Sequence, residues 1–288
     1  MGNMNGKTVL ITGANQGIGK ASAMALGKMG AKLVLVCRSE AKARAAIADL
    51  EQAGVKNVEL IVGDLASLAD VRRIAKEFLA KHATLDVLLN NAGLFVPSRQ
   101  TTVDGLEETL AVNHLAPFLL TNLLLGALKK APSARVVNVS STAHRGARMN
   151  WDDIQFTHGY SGLKVYSHSK LCNILFTREL AKRLAGTTVT ANSLHPGVIA
   201  SGFGHTYGGA FSVLLKIARP FFADTDDGAK TQVWLSSSPE VEGVTGKYFA
   251  RCAEAKATRH ALEEGAPLRL WEISEKLVGL TAAADAAA

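Results

Sequence analysis

Tyr166 and Lys170, four positions apart, are the pair of residues in this sequence best suited to proton transfer. On a helix, positions i and i+4 share one face, so the phenol and the ammonium would point the same way. A free tyrosine ionises near pH ~10, and a lysine charge held close to it stabilises the phenolate and lowers its pKa. Such a pair can exchange protons with an alcohol or carbonyl oxygen. Because this spacing also arises by chance, the interpretation depends on the rest of the chain.

A glycine-rich turn near the N-terminus is the second feature that suggests a functional site. Gly13, Gly17 and Gly19 follow the apolar run 7–12 and open a helical pattern. Glycines let the backbone turn tightly and approach a pyrophosphate, while the helix N-terminus supplies amides and positive potential. Glycines used only to build a tight turn are the alternative. The strand–turn–helix context favours a dinucleotide site.

The residues after the second expected strand indicate which nicotinamide cofactor is bound. An acidic residue there would accept a hydrogen bond from the 2′-hydroxyl of NAD, whereas an arginine suits the 2′-phosphate of NADP. Here the strand ends Cys37-Arg38-Ser39, and no carboxylate precedes Glu40. We therefore expect NADP(H), with Arg38 against the phosphate and Ser39 as a second donor. A surface arginine at a strand end is the alternative for Arg38.

The elements that must position these residues alternate along the chain. Strands are expected at residues 7–12, 32–37, 57–62, 86–90, 134–140, 188–194 and 246–249, with helical patterns between them. This order predicts an α/β fold, a single doubly wound (Rossmann) parallel sheet of about seven strands with helices on both faces. Ligand should bind at the carboxyl ends of the strands, where the strand order reverses.

The sequence predicts a single domain over residues 1–280. Within it, Pro117 should kink a long helix at residues 105–130. Residues 198–225 should form a lid over the substrate, and residues 281–288 a disordered tail.

Composition narrows the class of protein. The 288 residues contain no run of ~18 uncharged apolar residues, and the N-terminus lacks signal-peptide features, so we expect no integral membrane segment. Three scattered cysteines favour a reducing cytoplasm over a disulfide framework or a zinc site. The net charge of +7 is dispersed, which favours a solvated basic surface and no nucleic-acid partner. The sequence does not decide whether the protein forms a homo-oligomer.

Taken together, the motifs resemble the short-chain dehydrogenase/reductase family. The matching pieces occur in that family's order: Thr12-Gly13-x3-Gly17-x-Gly19, Asp64, Asn90-Asn91-Ala92-Gly93, Asn113, Ser140-Ser141, Tyr166-x3-Lys170 and Pro196-Gly197. A closer likeness is to the retinol dehydrogenase branch, which includes reductases of hydrophobic carbonyls. That likeness lies in the stretches Val112–Thr121, Val139–His144, Tyr166–Phe176, His195–Gly197 and Pro239–Phe249.

The resemblance implies roles for four catalytic residues. Tyr166 would be the acid in carbonyl reduction and the base in alcohol oxidation. Lys170 would lower the pKa of Tyr166 and bind the nicotinamide ribose. Ser141 would polarise the substrate oxygen; it is preferred to Ser140 on the family motif, because strand alternation alone does not choose between them. Asn113 would hold a water that links Lys170 to solvent.

The resemblance also implies the cofactor-binding residues. Asp64 and Leu65 would bind the adenine, and Asn91, Ala92 and Gly93 would lie along the cofactor, with Asn90 bracing the sheet. The remaining expected contacts are Asn15, Gln16 and Ile18 in the glycine turn, Tyr166 and Lys170, and Pro196, Gly197, Val198, Ile199 and Ser201 at the carboxamide.

The function expected from these observations is an NADP(H)-dependent oxidoreductase that interconverts an alcohol and a carbonyl on a small hydrophobic substrate. A non-catalytic NADP(H)-sensing regulatory protein is the alternative, against which the complete Ser, Tyr and Lys set argues. A membrane-surface protein that uses the basic charge is a third hypothesis. His144, His168 and His195 have no metal-ligand spacing, so no metal is expected.

Overall fold

A computed structural model describes residues 2–196 and 225–280 of the chain. These residues form one eight-stranded sheet flanked by helices. The strands are β1 Thr8–Thr12, β2 Lys32–Cys37, β3 Val58–Val62, β4 Val87–Asn90, β5 Ala134–Val139, β6 Val189–His195, β7 Tyr248–Ala250 and β8 Ala253–Glu254. The helices of the described residues are α1 Gly17–Lys28, α2 Glu40–Gln52, α3 Leu68–Lys81, α4 Glu108–Lys130, α5 Gly162–Arg183, α6 Thr225–Ser237 and α7 Ala266–Val278, with short 3₁₀ turns between some of them.

The strand order is β3-β2-β1-β4-β5-β6-β7-β8, and all pairs from β3 to β7 are parallel. The chain leaves β1 toward β3 and then returns to β4 on the other side of β1, so the order reverses between β1 and β4. The doubly wound sheet is therefore confirmed. The strand absent from the sequence prediction is β8, a two-residue strand antiparallel to β7, too short to leave a periodic pattern.

The core consists of two layers, one on each face of the sheet. Along β1, Val9 and Ile11 are buried with α1, α2 and α6, whereas Leu10 is buried with α3, α4, α5 and α7. Successive strand residues point to opposite faces, and both faces are covered. This arrangement explains why the strands are continuous apolar runs.

Helix α4 differs from the expected kinked helix. It begins at Glu108, where the buried carboxylate of Glu107 accepts hydrogen bonds from the amides of Thr109 and Leu110 at 2.9 and 2.6 Å. Its second turn, Ala111–Leu115, is π-helical, and Pro117 follows at the start of the next α-helical segment. Proline has no amide hydrogen to donate to the carbonyl four residues earlier. The irregularity therefore lies before Pro117, at Asn113.

The same helix is long and apolar enough to cross a membrane by length and composition alone. In the structure, 78% of its most apolar 18-residue window is buried inside the protein, where it packs on α3. This burial is typical of the central helix of a globular core.

Candidate active site

The carboxyl edge of the sheet gathers most of the residues expected in the site. The glycine turn follows β1, Arg38 and Ser39 follow β2, and Asp64 and Leu65 follow β3. On the other side of the reversal point, Asn91 to Gly93 follow β4, Ser141 follows β5 and Pro196 follows β6. Gly197, Val198, Ile199 and Ser201, together with most of the expected lid, lie outside the described residues.

The glycine turn is held by the segment after β4. Thr12 Oγ1 accepts hydrogen bonds from the amides of Asn91 and Ala92, both at 3.0 Å, and Asn91 Nδ2 donates to the carbonyl of Thr12 at 2.8 Å. Gly13 has a φ of +68°, a conformation that L side chains rarely adopt. A Cβ at Gly19 would lie 2.4 Å from the carbonyl oxygen of Gly13, so the turn closes only with glycine there.

This turn fits a dinucleotide phosphate. Gln16, the N-cap of α1, makes no capping hydrogen bond through its side chain, and the first turn of α1 carries no acidic residue. The first amides of the helix are therefore left for an anion, with the positive end of the helix dipole behind them. Asn15, Gln16, Gly17 and Ile18 are all at least partly exposed at this end.

Arg38 and Asp64 meet at the ends of β2 and β3. Arg38 Nη1 lies 3.9 Å from Asp64 Oδ2, with the two side chains 66% and 40% exposed. An exposed pair at this distance contributes little to stability, so Arg38 is free to turn toward a ligand. Ser39 caps α2 weakly, accepting from the amide of Lys42 at 3.5 Å, and Leu65 is buried in the core.

Tyr166 and Lys170 lie together on α5, as their spacing predicts. Lys170 Nζ is 5.5 Å from the centroid of the Tyr166 ring and donates a hydrogen bond to the carbonyl of Val139 at 3.1 Å. Burial lowers the pKa of Lys170 to about 8. Burial also raises the pKa of Tyr166 to about 12, against the opposing effect of a hydrogen bond with Ser141. The pKa of the phenol is therefore raised, not lowered as the sequence predicts, because burial outweighs the hydrogen bond with Ser141.

The two serines after β5 have different surroundings. Ser141 is partly exposed and its hydroxyl is hydrogen-bonded with Tyr166. Ser140 is buried, and its hydroxyl donates to the carbonyl of Lys170 at 2.7 Å. Ser140 therefore ties α5 to the sheet, while Ser141 faces the same space as the phenol. Asn90 is also structural, since its amide donates to Asn138 Oδ1 at 2.8 Å.

Asn113 is fully buried and faces the same region from the π-helical turn. Its Oδ1 accepts from the amide of Leu94 at 2.7 Å, and its Nδ2 donates to the carbonyl of Leu94 at 2.9 Å. A Cβ at Gly93 would lie 3.1 Å from Lys170 Nζ and 3.3 Å from Asn113 Oδ1. Gly93 thus keeps open the small space that both polar atoms face.

Comparison with known proteins identifies this arrangement. The family model described as short chain dehydrogenase matches residues 7–208. The chain belongs to the short-chain dehydrogenase/reductase family. It is 46% identical to human "Retinol dehydrogenase 14", covering 97% of this chain and 88% of that protein, and 41% identical to bovine "Retinol dehydrogenase 12", covering 96% and 87%. A crystal structure of a Mycobacterium paratuberculosis protein superposes with a TM-score of 0.80 at 33% identity, covering 97% and 96% of the two chains.

Membership of this family, within its retinol dehydrogenase branch, makes the chain an oxidoreductase of alcohols and carbonyls that uses a nicotinamide cofactor. The carboxyl edge, with its glycine turn and its Ser141, Tyr166 and Lys170 cluster, is the region that fits such a reaction. A cavity of about 740 Å³ beside α5, β7 and β8 is lined by none of the expected site residues. We assign it no part in the reaction.

Three contacts in this short-chain dehydrogenase escaped the sequence interpretation. Thr12 holds the segment after β4, Ser169 accepts from Asn113 Nδ2 at 3.0 Å, and His144 Nδ1 lies 2.5 Å from the carbonyl of Ser141. His144 Nε2 accepts from the amide of Thr258 at 3.3 Å, so its ring is neutral with the proton on Nδ1, and burial lowers its pKa. All three residues lie in stretches that carry the family resemblance, but most of their contacts join segments distant in sequence, which spacing alone does not indicate.

The tight packing of Gly19 against the rest of the glycine turn leads to a prediction for Gly19→Ala. The added methyl group would overlap the Gly13 carbonyl and the Asn91 amide, whose Nδ2 lies 2.5 Å from its position. We expect a loss of about 1–3 kcal/mol in the free energy of unfolding in urea and at least a ~10-fold weaker cofactor affinity, measured by fluorescence titration. Gly126→Ala is the control, because Gly126 lies on the exposed face of α4 and an added Cβ would have no neighbour within 4 Å in the described part of the chain. It should gain about 0.5–1 kcal/mol. Equal cofactor affinity in the two variants would contradict the assigned turn.

Proposed function

We propose that this protein is an NADP(H)-dependent oxidoreductase that interconverts an alcohol and a carbonyl on a hydrophobic substrate, with Tyr166 as the acid or base. The observation that carries the proposal is the shared position of Ser141, Tyr166 and Lys170 at the edge that also holds the glycine turn. A bound nicotinamide would supply or accept the hydride. The protein's own groups then have to bind the substrate oxygen and move one proton.

In this proposal Tyr166 and Ser141 share that oxygen. With a pKa of about 12, the phenol is protonated at neutral pH and can donate to the oxygen of a carbonyl as negative charge develops on it. The Ser141 hydroxyl, already hydrogen-bonded with the phenol, can donate to the same oxygen. Lys170 holds positive charge beside the ring and favours the phenolate left after transfer. In alcohol oxidation the same groups act in reverse.

A hydrophobic substrate is supported by the surroundings of Tyr166. The ring of Phe95 meets the ring of Tyr166 edge to face, with centroids 6.2 Å apart, and Phe95 is only partly buried. A Cβ at Gly162 would lie 2.5 Å from the carbonyl oxygen of Val96 and 3.1 Å from Phe95 Cζ, so this glycine lets the start of α5 approach the segment that carries Phe95. The names of the retinol dehydrogenase relatives also support a lipophilic alcohol or aldehyde as the substrate.

The test follows NADPH absorbance against a panel of retinal, ketosteroids, aromatic ketones and long-chain aldehydes. Turnover on at least one hydrophobic carbonyl, with little on short-chain ones, is the expected result. Tight NADPH binding with no turnover on any carbonyl or alcohol would instead favour the NADP(H)-sensing protein. Salt-sensitive binding to anionic vesicles without turnover would favour the membrane-surface hypothesis.

The choice of NADP(H) leads to a prediction for Arg38→Asp. The exposed guanidinium after β2 would pair with a 2′-phosphate, and an aspartate would repel that phosphate and accept from a 2′-hydroxyl. We expect kcat/KM for NADPH to fall about 10- to 100-fold and the value for NADH to rise. Arg44→Asp is the charge-matched control, because Arg44 pairs with Glu40 on α2 and carries the same change in net charge. Comparable losses in both variants would indicate general attraction rather than a phosphate contact.

A further inference from the structure

Ser169 lies between the two catalytic candidates of α5 and is fully buried. Its hydroxyl donates to the carbonyl of Tyr166 one turn earlier, at 2.7 Å. A serine hydroxyl has a single proton, so the oxygen faces its other neighbour only as an acceptor. That neighbour is Asn113 Nδ2, at 3.0 Å.

The amide of Asn113 is therefore held from two sides. The backbone of Leu94 engages both its oxygen and its nitrogen, and Ser169 engages the second hydrogen of Nδ2. Of these contacts, the one from Ser169 joins Asn113 to the helix that carries Tyr166 and Lys170. It thus fixes the π-helical turn of α4 relative to α5 at the level of the proposed proton transfer.

The hydrogen bond from Asn113 Nδ2 to Ser169 orients the second lone pair of Asn113 Oδ1. Within the described residues Oδ1 accepts one hydrogen bond, from the amide of Leu94, and a carbonyl oxygen has two lone pairs. Oδ1 and Lys170 Nζ both lie within 3.3 Å of the point that a side chain at residue 93 would occupy. Rotation of the amide or displacement of the π-helical turn would separate these two polar atoms.

We propose that Ser169 is a positioning residue, which acts through Asn113 to hold Oδ1 toward the space in front of Lys170. This inference deepens the proposed function and rests on it for its kinetic consequence. The hydrogen bonds of Asn113 can be measured without turnover, so part of the test is independent of the reaction.

The kinetic arm is a double-mutant cycle on the holoenzyme. Ser169→Ala should lower kcat for carbonyl reduction about tenfold, with KM and the Kd for NADPH changed less than about twofold. In an Asn113→Ala background the same substitution should lower kcat less than about twofold, because Asn113 is the residue through which it acts. The proposal would be refuted if Ser169→Ala lowered kcat equally in the wild-type and Asn113→Ala backgrounds, or did not lower kcat in the wild-type background.

The second arm measures hydrogen exchange at the amide of Leu94, which donates to Asn113 Oδ1. In the protein without cofactor, Ser169→Ala should speed this exchange about three- to tenfold. Ser167→Ala is the matched control on α5, buried to 8% exposure and with no side-chain hydrogen bond in the part of the chain that the structure describes. It should leave both kcat and the exchange unchanged. Exchange at Leu94 that is equal in the two variants would overturn the proposal.

The two arms separate failure of this inference from failure of the proposed function. If the wild-type protein reduced no carbonyl while Ser169→Ala still exposed the Leu94 amide, the oxidoreductase proposal would fall and the contact through Asn113 would stand. If turnover were normal and neither arm responded, the role of Ser169 would fall alone.

Discussion

Tyr166→Phe is expected to lower kcat for carbonyl reduction about 10²- to 10⁴-fold, the range that general acid catalysis contributes. The Kd for NADPH should change less than about twofold. Phenylalanine keeps the ring that meets Phe95 edge to face and lies under Lys170 Nζ, so the substitution removes only the hydroxyl. Ser141 would remain, but a serine hydroxyl is too weak an acid to replace the phenol. Steady-state NADPH oxidation and a fluorescence titration measure the two quantities.

Tyr160→Phe is the matched control for that experiment. Tyr160 lies just before α5, and its hydroxyl donates to the carbonyl of Val96 at 2.9 Å and lies 3.2 Å from Glu107 Oε1. Loss of the Tyr160 hydroxyl should lower the free energy of unfolding by about 1 kcal/mol, while kcat should change less than about threefold. A Tyr166→Phe variant with full activity would remove the phenol from the chemistry, whatever the control showed.

The sequence correctly predicted the positions of those site residues that lie close together along the chain. Tyr166 and Lys170 share a helix face because four residues complete about one turn, and Gly13 and Gly19 mark a turn that only glycine can close. The doubly wound parallel sheet followed from alternating elements and from the rule that parallel strands need helical crossovers. None of these inferences needed knowledge of contacts between distant segments.

The parts that the sequence could not supply depend on such contacts. The direction of the Tyr166 pKa is set by how far α5 buries the phenol, which no local pattern records. The different surroundings of Ser140 and Ser141 follow from where α5 crosses the end of β5. The π-helical turn at Asn113 accompanies Pro117, yet the sequence suggested only a kink. The roles of these residues in the reaction stay predictions.

Lys170→Met is expected to raise stability while abolishing most of the activity. Lys170 is 2% exposed, and burial lowers its pKa from the ordinary 10.5 to about 8. A charged ammonium is therefore less favourable in the folded protein than in the unfolded chain. At 1.36 kcal/mol for each pKa unit, this penalty is of the order of 3 kcal/mol at pH 7. Methionine has a similar unbranched shape and removes the charge.

The loss of the lysine hydrogen bond should offset little of this gain. Lys170 Nζ donates to the carbonyl of Val139, but that oxygen also accepts from Asn173 Nδ2 at 3.1 Å. The substitution therefore leaves no buried acceptor without a partner there. We expect the free energy of unfolding in urea at pH 7 to rise by about 1–3 kcal/mol. We also expect kcat to fall at least ~100-fold and NADPH affinity to weaken.

The pH dependence of the stability difference tests its cause. Below pH 8, Lys170 is charged in both the folded and the unfolded states, so the full penalty applies to the wild type. Between pH 8 and 10.5 the folded protein releases this proton first, and the penalty fades as pH rises. The advantage of Lys170→Met should therefore be largest at pH 7 and small by pH 10. In the folded protein the pKa of Tyr166, about 12, lies above this range, and the buried thiol of Cys37 titrates alike in both proteins, so neither group changes the difference much.

Lys170→Gln is the control for shape and polarity, because it keeps a polar group of similar length without the charge. It should recover part of the stability gain and none of the activity. If Lys170→Met were instead less stable than the wild type by an amount that did not change with pH, the ammonium would be a net stabilising group. Its burial would then need no functional explanation. A stability gain coupled to loss of turnover would show that this helix retains an unfavourable buried charge because the proton transfer at Tyr166 requires it.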